Sequence, residues 1–119
     1  MVDALETLSV WKRSRVLAVN VYKLFAHCKD YGFKDQITRA ALSIPSNIAE
    51  GFERNSRKEF VYFLKIAKGS CAELRTQLYI SGDINLTDSE RTQSYITESL
   101  EISMMLQGLI NRYKIKDNS

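Results

Sequence analysis

The stretch Ile44 to Phe60, IPSNIAEGFERNSRKEF, constrains this chain more than any other. It holds the only proline, and it reads as the hinge of a helical hairpin. Upstream, Ile37, Ala41, Ile44, Ile48 and Phe52 recur at helical spacing, so a helix runs into it. Pro45 lacks the N–H that would bond the Ala41 carbonyl and crowds that carbonyl, which predicts a kinked helix ending around Gly51 to Arg54. Downstream, Ser56 and Glu59 have the spacing of a capping box. The Ser56 hydroxyl can accept from the Glu59 N–H, while the Glu59 carboxylate reaches back to the Ser56 N–H. A new helix is therefore expected at Arg57.

The pattern on both sides extends this to an all-α chain. Ser9 is the expected N-cap of a first helix over about 10–30, whose apolar stripe is Val10, Leu17, Val21, Leu24 and Cys28. Gly32 is read as its stop. The second helix spans about 34–53. The third, about 57–80, carries the stripe Phe60, Phe63, Leu64, Ala67, Cys71, Leu74 and Leu78. Gly82 and Asp83 mark a turn. Thr87 and Glu90 repeat the capping-box spacing and start a fourth helix over 88–113. Residues 114–119 form a polar tail, expected to fray. Four helices with short connections predict one domain over 1–119, an antiparallel up-down-up-down four-helix bundle with its second helix kinked at Pro45.

The fourth helix has more apolar surface than one core needs. Tyr95, Ile102, Leu106, Leu109 and Tyr113 make one stripe; Ile96, Leu100 and Met104 make a second beside it. That second stripe is the expected oligomer interface, with burial inside the same bundle as its alternative.

Charge is unevenly distributed. Residues 12 to 75 carry 13 Lys and Arg against 6 Asp and Glu, a local net of +7, whereas the whole chain is only +3. At 100° per residue, Lys58, Lys65, Lys68 and Arg75 fall opposite the apolar stripe of the third helix. Arg54 and Arg57 extend this set at the hinge, and Tyr62 and Tyr79 lie beside it. Such a surface can neutralise phosphates and release counterions, and tyrosines can stack on bases of a single strand. RNA or DNA is the expected partner; an oligomeric scaffold for a protein partner, without nucleic acid, is the alternative.

Several classes find no support. One histidine and two cysteines are too few for a zinc site, and Cys28 and Cys71 read as buried reduced thiols. No Gly-rich phosphate loop or nucleophile motif is present. Asn47 and Glu50 beside Pro45 are the only polar pair near unusual backbone, and Asn47 is expected to turn inward toward the freed Ala41 carbonyl. No catalytic residue, metal or cofactor is expected, and the chain is read as non-enzymatic. No apolar run approaches the roughly 20 residues of a membrane span, and the opening MVDALETLSVW does not resemble a signal peptide, so a cytoplasmic protein is expected.

The run QITRAALSIPSNIAEGFERNSRKEFVYFLKIAKGSCAELRTQL, with VWKRSRVLAVNVYKL before it, resembles the small bacterial four-helix-bundle proteins encoded in intervening sequences of 23S ribosomal RNA genes. The resemblance covers roughly residues 8 to 80. It implies an up-down bundle that assembles into a ring-like homopentamer. A related branch, the accessory protein of diversity-generating retroelements, binds nucleic acid and a reverse transcriptase. Glu53 and the basic Arg75 depart from that family's pattern.

Overall fold

Two asparagines in left-handed backbone set the two shortest turns of the chain: Asn55 at φ 56° and Asn85 at φ 59°. Asparagine tolerates this region better than other residues with a Cβ, because its short polar side chain bonds locally. A computed structural model describes residues 4–114. A short 3-10 turn, Leu5–Thr7, leads into four α-helices: α1 (Ser9–Leu24), α2 (Tyr31–Glu53), α3 (Arg57–Asp83) and α4 (Ser89–Tyr113). No strand occurs among the described residues. Of the tail read as frayed, only Lys114 lies within them.

The helix ends follow local hydrogen bonding, and several differ from the sequence expectation. α1 stops at Leu24 rather than near residue 30. Asp30 starts α2 instead, its carboxylate accepting from the Phe33 N–H at 3.1 Å. Gly32, expected as a stop, lies in the first turn of α2 with an ordinary negative φ. Ser9 is the first residue of α1 and not its cap; the cap position is Leu8, whose side chain is buried in the core.

The Ser56 cap forms as expected, its hydroxyl accepting from the Glu59 N–H at 3.3 Å. The Glu59 carboxylate, however, meets Arg54. α3 runs on to Asp83 and closes in a Schellman turn. There the Leu86 N–H donates to the Ser81 carbonyl at 2.9 Å and the Asn85 N–H donates to the Gly82 carbonyl at 3.1 Å. Asp88, not Thr87, caps α4. The Thr87 hydroxyl bonds those of Ser81 and Thr92 instead, tying the turn to both helices.

α2 continues through Pro45, which is buried. Side chains supply hydrogen bonds around it. The Asn47 amide donates to the Ser43 carbonyl at 2.8 Å, not to Ala41 as expected. The Ser43 hydroxyl donates to the Ala40 carbonyl and meets the Ser70 hydroxyl of α3 at 2.5 Å.

The helices pack as a four-helix bundle of 51 × 25 × 22 Å. α1 packs on α2 and α4, and α3 packs on the same two. Contacts pair residues in opposing chain order: Gly51 meets Phe63 and Ser43 meets Ser70, while Phe60 meets Tyr113 and Lys68 meets Gln107. Leu17, Val21, Phe25, Ile37, Ile44, Ile48, Leu64, Leu74, Leu78, Ile102 and Leu106 fill the axis and are almost fully buried. Each such side chain contributes about 1.5–3 kcal/mol relative to exposure. Ser14, Ser81 and Ser99 are also buried, each hydroxyl donating to a carbonyl three residues back, so no bare polar group remains there.

The second apolar stripe of α4 divides. Ile96 is buried within the chain itself, so it belongs to the monomer core and not to a subunit contact. Leu100 and Met104 are 48% and 67% exposed. No helix among the described residues is long and apolar enough to cross a membrane.

Candidate nucleic-acid interface

Three of the basic residues expected opposite the core stripe of α3 lie beside α4 instead. Lys65, Lys68 and Arg75 occupy the flank that faces α4, and with Lys114 they line a groove of about 530 Å³ between the two helices. Small residues, Gly69, Ala72 and Ser103, leave room between the long side chains, while Gln107 and Ile110 form the α4 wall. No carboxylate lines the groove. The Lys68 ammonium donates to the Gln107 amide oxygen at 2.8 Å, and the Gln107 amide nitrogen donates to Asn111 at 3.0 Å. A neutral amide thus positions Lys68 without cancelling its charge. Arg75 is half-buried, and its Nη1 is buried without a hydrogen-bond partner. A guanidinium N–H left in that state lacks an acceptor that an anion can provide.

Two of the remaining cations of the expected set have other work. Arg54 pairs with Glu50 at 2.9 Å and Glu59 at 3.3 Å, and lies over the Phe63 ring. Its charge is compensated by these two carboxylates. Arg57 donates to the Arg112 and Tyr113 carbonyls and stacks on the Tyr113 ring, so it closes the negative end of the α4 dipole. Lys58 is exposed but is not part of the groove wall. Tyr62 and Tyr79 are both exposed. Tyr62 packs edge-on against Phe63 at 5.2 Å, whereas Tyr79 lies one turn beyond Arg75 on α3, outside the groove lining.

One cation escaped the sequence reading. Arg13 of α1 grips α4: Nε and Nη2 donate to the two Glu98 oxygens at 2.9 and 2.5 Å, and Nη2 also reaches Glu101 at 2.6 Å. The two carboxylates raise the pKa of the guanidinium, with hydrogen bonding to Glu98 the largest cause. Glu98 and Glu101 are three apart on one helix face, which was visible in sequence. Which of Lys12, Arg13 or Arg15 they would meet depends on how α1 is rotated against α4.

The polar groups near Pro45 hold structure together. Asn47 bonds the backbone of its own helix, and Glu50 pairs with Arg54. Cys71 is fully buried, and burial pushes its thiol up to about 12, outweighing the opposite pull of Arg75 and Lys68. A thiol held protonated in this way is a poor nucleophile. Cys28 is half-buried and free. Among the described residues, no three His, Cys, Asp or Glu side chains come together as a metal site.

Comparison with known proteins places this geometry in a family. Residues 6–108 match the family described as 23S rRNA-intervening sequence protein. A solved structure from Bacteroides thetaiotaomicron, described as a protein of unknown function from the S23 ribosomal protein family, is 30% identical. It superposes with a TM-score of 0.79 over 85% of this chain and 97% of that one. No curated protein sequence matches. With the match running from the 3-10 turn into the last helix, the chain belongs to the 23S rRNA-intervening sequence protein family.

Proposed function

We propose that this protein binds RNA or DNA through the α3/α4 groove, as a non-enzymatic, self-associating bundle in the cytoplasm. The observation that carries this reading is a groove lined by four cations and no carboxylate. Elsewhere on the bundle Arg13 and Arg54 are matched by two acids each. Lys65, Lys68, Arg75 and Lys114 have no acidic partner among the described residues, so their field is free to attract phosphates. The resulting interface differs from the expected one: Lys65, Lys68 and Arg75 stay, Lys114 joins, Arg54 and Arg57 leave, and Lys58 lies outside the groove wall.

Self-association is supported by Leu100 and Met104, large apolar side chains left exposed on α4. A ring of five, which the sequence resemblance implies, would repeat the groove and multiply a weak contact through avidity. The rival reading is a scaffold in which the same surface docks an acidic protein.

The test is size exclusion with light scattering, run with a mixed pool of RNA and DNA oligonucleotides. At about 50 mM salt the protein should carry nucleic acid, and at about 200 mM it should shed most of it. Joint replacement Lys65→Gln, Lys68→Gln and Arg75→Gln should abolish co-elution while leaving the helical signal intact. Absence of nucleic acid at low salt refutes the proposal and favours the scaffold.

A further inference from the structure

We infer that the groove selects single strands over duplex, with Tyr79 as the base-stacking residue; this rests on the nucleic-acid reading above. Three observations lead there. The first is scale. Lys65 and Arg75 are separated by about 15 Å along the helix, at 1.5 Å per residue. That length spans about three phosphates of a drawn-out single strand, at roughly twice the 3.4 Å axial rise per nucleotide of a stacked strand. The groove, of about 530 Å³, is walled by α3 on one side and α4 on the other along this length.

The second observation is depth. The unpartnered Arg75 Nη1 sits below the surface. A phosphate that enters between α3 and α4 comes near it, whereas a duplex resting outside the groove leaves Arg75 as it is. The third is the aromatic side chain at the end of this line. Lys68, Arg75 and Tyr79 fall within about 40° of one another around α3. Tyr79 is 52% exposed and lies one turn of α3 beyond Arg75, past the end of the groove. A duplex keeps its bases stacked inside, so only a single strand can place a base on that ring. Tyr62 does not qualify, because it projects from a different side of α3 and already packs on Phe63.

The experiment is fluorescence anisotropy on the full-length protein at about 50 mM salt. The probes are a labelled DNA strand of about fifteen nucleotides and the blunt duplex of the same sequence, at matched phosphate concentration. The single strand should bind at least about tenfold tighter, the equivalent of one stacked base. Tyr79→Ala, a change at an exposed site, should remove most of that preference. Lys58→Gln should weaken both probes by similar factors. Equal or tighter binding of the duplex overturns the inference while leaving nucleic-acid binding intact. A single-strand preference that survives Tyr79→Ala also overturns it. Failure to bind either probe removes this inference together with the function on which it rests.

Discussion

Replacing Gly51 by alanine separates two physical effects that usually coincide. Gly51 lies in the last turn of α2 with ordinary helical backbone, so it is not there for conformational freedom. A Cβ at this site would stand 2.7 Å from the Phe63 Cβ, 3.2 Å from the Phe60 ring and 3.3 Å from the Phe60 carbonyl oxygen. Two of those three atoms are fixed to the α3 main chain, so no rotamer change relieves the clash. α2 and α3 would have to part by about 1 Å to restore ordinary carbon contact near 3.5–4.0 Å. Overpacking of this kind costs about 1–3 kcal/mol, against an intrinsic gain of about 0.8–1.0 kcal/mol for alanine over glycine in a helix. The net expectation is destabilisation by about 1 kcal/mol. Gly108, also helical, has no atom within 4 Å of its built Cβ, so Gly108→Ala should stabilise by most of the same intrinsic gain. Two chemically identical changes should therefore shift stability in opposite directions, about 2 kcal/mol apart. For a domain of this size that separation is roughly 8 °C in Tm. Thermal unfolding followed by circular dichroism, with both variants at one protein concentration, measures it. If Gly51→Ala melts with or above Gly108→Ala, close helix approach is not what requires glycine in the IAEGF run.

Three further outcomes follow from the same structure. Cys71 is protonated in the fold up to about 12, against an unfolded value near 9, so the unfolded chain releases this proton first. The stabilisation is complete below pH 9 and is lost as pH rises toward 12, by up to about 1.4 kcal/mol per unit. Urea unfolding across that range should fall less steeply for Cys71→Ala, and parallel curves would show that the thiol has no part in it. Leu100→Glu should yield smaller assemblies that remain helical, whereas Ile96→Glu should unfold the chain; light scattering and circular dichroism together distinguish these, and unfolding by Leu100→Glu would place that residue in the core. Pro45→Ala restores an N–H for the Ala41 carbonyl and should leave the fold intact, as read from circular dichroism; global unfolding would show that the proline is required.

The candidate site was only partly legible in the sequence. Lys65, Lys68 and Arg75 stood out as a basic series, but helical periodicity measured them against the core stripe of α3 alone. Which flank α4 covers is a tertiary fact, and it turned an outer face into a groove wall. Arg54 carried the same formal charge, yet Glu59, across the turn at Asn55, reaches it only once that turn is made. Lys114 belongs to the site because the end of α4 returns beside the start of α3, which local spacing does not encode.

The four helices, the Ser56 cap and the core stripes were legible from residue order alone, because each depends on interactions within one or two turns. Residue order also carried the family resemblance that the matched residues 6–108 bear out. Helix ends fared less well at Asp30 and Asp88, where neighbouring residues compete for one cap and the winner depends on where the crossing connection must run. The packing of helix on helix settled that Ile96 is core while Leu100 and Met104 are surface, that Arg13 is the clasp on α4, and that a Cβ at Gly51 meets α3 too closely. Those outcomes depend on the rotation and spacing of one helix against another, set jointly by all the packed side chains and written in no single stretch of the chain.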